Sequence, residues 1–162
     1  MPRRTALIVA VPQAEPHVAA LRLAHDSSAP LGVPAHITIL FPFAPADELD
    51  EDAVGELLAA HSAFDFQLAS VEHFDDGVTY LAPVPAEPFV ALTRAVAERW
   101  PAYSPYEGMF ETVIPHLTVG ETMLELEAPL PLACRANEVV LIEEDEPGGR
   151  WRERRRFPLA EA

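Results

Sequence analysis

Apolar residues recur along this chain with two periods, and the periods mark out its elements. Residues 5–11 form a short apolar run closed by Pro12, which reads as a strand. Behind Pro16, Val18, Leu21 and Ala24 fall at helical spacing until residues 26–30 break the pattern. A β-branched, Pro-bounded run over 34–41 reads as the next strand. Pro45 opens a second helix with Asp47 and Glu48 in its first turn and Leu49, Ala53, Leu57 and Leu58 as its apolar stripe. Alternation over 64–71, the turn Asp75-Asp76-Gly77 and a run over 78–84 predict a hairpin. A third helix starts near Pro88, buries Phe89, Leu92, Val96 and Trp100, and stops at Pro101. An aromatic loop over 101–111 leads into a strand around 114–120. An acidic, Pro-punctuated connection comes next, and then strands over 138–144 and 150–159 across the turn Pro147-Gly148-Gly149. Strands and helices mixed with antiparallel hairpins make the class α+β.

Composition narrows this only in part. The 162 residues suit a single domain with a real core, and 49% apolar with 23% charged residues is ordinary for a soluble globular protein. No apolar run approaches the ~18 residues of a membrane helix. With Cys134 alone there is no internal disulfide, and a cytoplasmic monomer is expected. Charge changes the picture more. The net charge is −15 and the chain has no Lys, so every fixed side-chain cation is Arg. Residues 150–162 carry five Arg against two Glu, which leaves −18 on the first 149 residues. Non-specific affinity for nucleic acid comes from neutralised phosphates. A long polyanion is therefore excluded as a partner, whereas a small nucleotide or a single phosphate end is not.

The chemistry sits in an echo. Pro34-Ala35-His36-Ile37-Thr38-Ile39 recurs eighty residues on as Ile114-Pro115-His116-Leu117-Thr118-Val119. On a strand, side chains alternate faces, so His36 shares a face with Thr38 and His116 with Thr118, over aliphatic residues on the reverse. Two such units facing each other supply two imidazoles and two hydroxyls, an apparatus for a phosphodiester. Opening a cyclic diester needs a base for water and an acid for the leaving ribose oxygen, and histidines serve both near neutral pH. The hydroxyls of Thr38 and Thr118 would donate to non-bridging oxygens. Phe41, Phe43, Tyr103, Tyr106 and Phe110 are candidates to stack a base. The alternating Arg150, Arg152, Arg154 and Arg156 read as partners of Glu143, Glu144, Asp145 and Glu146 in the same hairpin rather than as a phosphate grip. His17, His25 and His61 are expected at the surface. His73 beside Asp75 and Asp76 lacks a second ligand cluster, so no metal is expected. In an ideal strand Leu40 also joins the His36/Thr38 face, which requires either a bend after Thr38 or an apolar edge to the pocket.

The two motifs, 34–43 and 114–120, together with Pro105-Tyr106-Glu107-Gly108 and the closing hairpin with Trp151 and Phe157-Pro158-Leu159, resemble the 2H phosphoesterases, the 2′-5′ RNA ligase-like proteins. The resemblance spans essentially the whole chain. It implies a bilobal fold of two pseudo-symmetric antiparallel lobes with helices outside and a central cleft, one His-x-Thr strand from each lobe, and no cofactor. It also implies substrates such as 2′,3′- or 1″,2″-cyclic phosphates or 2′-5′ linkages. Hydrolysis is favoured over ligation because the acidic surface does not suit long RNA. The alternatives are a 2′-5′ RNA ligase, or a module that binds nucleotides or RNA ends with little chemistry.

Overall fold

The computed structural model describes residues 3–103 and 113–161. Eight strands form one antiparallel sheet: β1 (Thr5–Ala10), β2 (His36–Phe43), β3 (Phe64–His73), β4 (Thr79–Val84), β5 (Leu117–Gly120), β6 (Leu132–Ala136), β7 (Glu138–Glu144) and β8 (Trp151–Pro158). Their order is β6-β3-β4-β5-β2-β1-β7-β8. The helices are α1 (Glu15–His25), α2 (Glu51–Ala59) and α3 (Glu87–Arg99). Among the described residues, no helix is long and apolar enough to cross a membrane.

The predicted elements recur with two differences. β6 falls inside the stretch read as a connection. Its Leu-Ala-Cys-Arg-Ala sequence carries little β preference, and pairing with β3 at the sheet edge supplies the strand. α2 begins later than Pro45, because Asp50 accepts a 3.1 Å hydrogen bond from the Ala53 amide and so caps the first turn. Residues 46–48 make a short 3₁₀ turn instead.

The two lobes are halves of this one sheet, β8-β7-β1-β2 and β5-β4-β3-β6, joined where Ile37 of β2 faces Leu117 of β5. In each half a helix links two neighbouring antiparallel strands, β1-α1-β2 and β4-α3-β5. The helices exchange sides: α1 packs against β5 and α3 against β2. Each half thus covers the other's motif strand. The core lies on this helical face, where Val18, Leu92 and Val96 meet Leu7, Ile37, Leu81, Leu117 and Phe157, all of them buried. Burying side chains of this size contributes about 1.5–3 kcal/mol each. Close approach of α1 also demands Gly120, since a Cβ there would stand 2.8 Å from the Cβ of His25.

A β-bulge comes after each motif threonine. Ile8 pairs with Thr38 and Leu7 with Leu40, so Ile39 has no partner on β1. Tyr80 pairs with Thr118 and Thr79 with Gly120, so Val119 has none on β4. The extra residue bends the strand and re-aims the side chains beyond it. Leu40 consequently turns into the helical core and Phe41 comes to the opposite face, so the strand does bend after Thr38. The hydroxyl of Thr93, buried in α3, donates a 2.7 Å bond to the Ile39 carbonyl freed by the bulge. Thr93→Val keeps the shape and removes this donor. The expected cost is about 1–3 kcal/mol of stability for the orphaned carbonyl, measurable by urea unfolding. An unchanged midpoint would show that the carbonyl is satisfied otherwise.

Candidate active site

The site arises from one register. With Ile37 opposite Leu117, the flanking residues of the antiparallel pair place His36 opposite Thr118 and Thr38 opposite His116, on the face away from the helices. Diagonal neighbours in such a ladder lie about 7–8 Å apart, so both imidazoles rise from one small patch of the sheet. His36, His116 and Thr118 line a shared cleft of about 700 Å³. Thr38 borders two adjoining hollows, one with His36 and one with His116.

The imidazoles are held in the same way. Nδ1 of His36 lies 2.8 Å from the carbonyl of Pro34, and Nδ1 of His116 lies 2.6 Å from that of Ile114. A carbonyl only accepts, so each Nδ1 carries its proton and each Nε2 is left for chemistry, as acceptor when the ring is neutral and as donor when it is charged. Each ring is steered by the residue two positions before it in its own motif.

Their surroundings differ. Desolvation pushes His36 down to about 4, against the Pro34 hydrogen bond and Asp26, which raise it. Arg22 and His116 push the same way as burial. The drop keeps His36 neutral at pH 7. His116 instead stands edge-on to Phe74 at 5.0 Å and Tyr80 at 5.6 Å.

The loop between α1 and β2 is built on a buried pair. Arg22 Nε donates to Asp26 at 3.2 Å, and its Nη1 donates to the Val33 carbonyl at 3.0 Å. Asp26 in turn accepts from the amide and hydroxyl of Ser28. These residues escape a pattern reading because the pair resembles any i,i+4 surface pair. Only the fold shows that Arg22 is 2% exposed. Arg4 is likewise illegible, since its partner Glu144 is 140 residues away.

Of the aromatic candidates, Phe41 borders the site and is 41% exposed. Phe43 does not serve there. It is buried edge-on against Trp100 and Tyr103, so it packs the core and has no face left for a base. Tyr106 and Phe110 lie outside the described residues. The arginine strand is neutralised in part by the expected partners, Arg152 by Glu143 and Asp145 and Arg154 by Glu143. Arg154 also reaches Glu51, Arg156 pairs with Glu138 and Glu153, Arg150 donates to the Pro30 carbonyl, and Glu144 turns to Arg4. Among the described residues, no three His, Cys, Asp or Glu side chains are grouped to hold a metal ion, and Nε2 of His73 lies 3.3 Å from the Leu124 carbonyl.

Residues 10–148, containing both motifs, match the model of the 2′-5′ RNA ligase superfamily. The chain belongs to that superfamily. Solved structures of similar fold include Escherichia coli LigT complexed with 3′-AMP, at 17% identity and TM-score 0.67 over 98% of this chain and 99% of that one. A phosphoesterase gives 16% identity and TM-score 0.67 over 98% and 99%. TT0787 of Thermus thermophilus gives 22% and 0.63 over 96% and 97%. At these identities the likeness carries the fold. No curated protein matches the sequence. As a superfamily member, the protein has the curled eight-stranded sheet that these neighbours share.

Proposed function

We propose that this superfamily member is a metal-independent phosphoesterase that hydrolyses a cyclic ribose phosphate, or a 2′-5′ linkage, with His36 as general base and His116 as general acid. The observation that carries the reading is the matched pair of Nδ1–carbonyl bonds, which leave the Nε2 atoms of two rings lining one cleft for chemistry. His36, kept neutral by burial, takes the proton of the attacking water as the new O–P bond forms. The bond from phosphorus to one ribose oxygen breaks, and that oxygen takes the Nε2 proton of His116. Thr38 and Thr118 donate to the non-bridging oxygens, where charge accumulates. The product is a phosphomonoester beside a free hydroxyl, and solvent resets the two rings. Occupation of E. coli LigT by 3′-AMP, NADP+ or ATP supports a small nucleotide as the ligand class.

The test is turnover of the four nucleoside 2′,3′-cyclic monophosphates in EDTA, together with the pH dependence of kcat/KM. Turnover to a single phosphate isomer is expected. Because the base must be neutral, the rate falls only as pH drops through about 4, not through the ordinary ~6.5. The same shift lets the unfolded chain bind a proton that the folded one refuses, so stability rises with pH between those values. Loss of turnover in EDTA, or an acid limb centred near 6.5, would sink the scheme.

A further inference from the structure

The two histidines share one motif but not one setting. His36 shares its cleft wall with Asp26 and Ser28 of the α1–β2 loop, whereas His116 stands against two aromatic rings. The difference comes from the strand beside each motif. Ile8 of β1 lies opposite Thr38, and Tyr80 of β4 holds the equivalent place opposite Thr118. An aliphatic side chain in one half is thus a ring in the other.

Both rings are held from behind. Tyr80 sits in the middle of three strands, paired with Glu72 of β3 as well as with Thr118 of β5. Phe74 opens the turn between β3 and β4, and its own backbone closes that turn. Its amide donates to the Val78 carbonyl and its carbonyl accepts from the Gly77 amide, both at 2.9 Å. Gly77 takes a φ of 94° there, which favours glycine. The turn lays Phe74 on Tyr80, with ring centres 4.2 Å apart and planes 23° from parallel. Against this stack the His116 ring stands edge-on, its plane 87° from that of Phe74 and 69° from that of Tyr80. Edge-to-face contact is a preferred geometry for aromatic rings. The Nδ1 bond to the Ile114 carbonyl pins one corner of the imidazole. A ring pinned at one corner can still rock about it, and the stack blocks that motion.

We propose that Phe74 and Tyr80 are positioning residues for His116, holding its ring so that the Nε2 proton meets the leaving ribose oxygen. In this role they touch no reacting atom and act only through the imidazole. A hydrogen bond weakens steeply as it bends, so a rocking ring delivers its proton poorly. Misplacement of a reacting group by about 1 Å can cost on the order of 10²-fold in rate. The proposal rests on the phosphoesterase reading above and adds to it how the acid is held.

The test is a double-mutant cycle in kcat and KM for a nucleoside 2′,3′-cyclic phosphate in EDTA, with melting temperatures measured alongside. Phe74→Leu and Tyr80→Leu are each expected to lower kcat by about 10–10²-fold while KM changes little. Tyr80→Phe restores the ring and is expected to recover kcat. In a His116→Ala background neither leucine substitution is expected to change kcat by more than about twofold, since the group they hold is gone. If Phe74→Leu melts below the assay temperature, Tyr80→Leu and Tyr80→Phe decide. A fall in kcat as large without His116 as with it overturns the proposal. So does a raised KM with kcat intact, which would put the rings on the substrate, or wild-type kcat in both leucine variants. Each of these outcomes leaves the hydrolase reading standing. Absence of turnover by the wild type overturns both.

Discussion

His36→Ala and His116→Ala are each expected to lower turnover of a cyclic phosphodiester by about 10²–10⁴-fold, because each deletes one positioned proton transfer. The double variant is expected to fall little further, since acid and base act in the same step. Neither ring is part of the buried core, and each motif's strand is anchored by the reverse face, through Ile37 and Leu117, so the melting temperature is expected to hold. The two losses differ in pH dependence. Without His36 the rate loses its dependence on the proton that binds near pH 4, whereas without His116 that acid limb survives at lower amplitude. A wild type that binds 3′-AMP in the cleft, is displaced by phosphate and turns over no cyclic substrate would favour the binding module. Full activity in either variant would remove the pair from catalysis.

How much of this could be read from the chain depends on the range of the interaction involved. Alternation along a strand is local, so His36 with Thr38 and His116 with Thr118 were legible on their shared faces. That the two copies meet required only that the strands carrying the echo pair, and they do so through Ile37 and Leu117. Leu40 and Phe43 depend on something further. The bulge at Ile39 arises from pairing with β1 and is completed by a hydroxyl 54 residues away on α3, so ideal alternation placed Leu40 with His36 and Thr38 when it belongs to the core. Phe43 looked like Phe41 in sequence, but Trp100 and Tyr103 enclose it. Arg4, gripped by Glu144, could not be recognised until the two ends of the chain met, with β1 beside β7. The shared logic is that motif chemistry sits on elements, whereas cleft walls come from pairs of elements far apart in the chain.

Arg22→Met is expected to cost about 3–5 kcal/mol, the range for removing one partner of a buried ion pair and leaving the other charge stranded. For a domain of this size that lowers the melting temperature by roughly 10 °C or more. Asp26 is 6% exposed, and besides Arg22 its carboxylate has only the amide and hydroxyl of Ser28 as hydrogen-bond partners among the described residues. The Val33 carbonyl loses its side-chain donor as well. Adding Asp26→Leu is expected to recover part of the loss, because an apolar pair of similar volume often replaces a buried ion pair at little cost. A structural role alone ends there, but the pair also brackets His36, the proposed base. Arg22 depresses His36 while Asp26 raises it. Removing Arg22 alone takes away one lowering charge and keeps the raising one, so the acid limb of kcat/KM moves to higher pH in Arg22→Met. In the double variant both influences disappear, and the limb returns toward the wild-type position. Wild-type melting in the single variant would show that Asp26 finds another partner or takes up a proton. A stationary acid limb in a destabilised variant would separate the pair's structural role from any hold on His36.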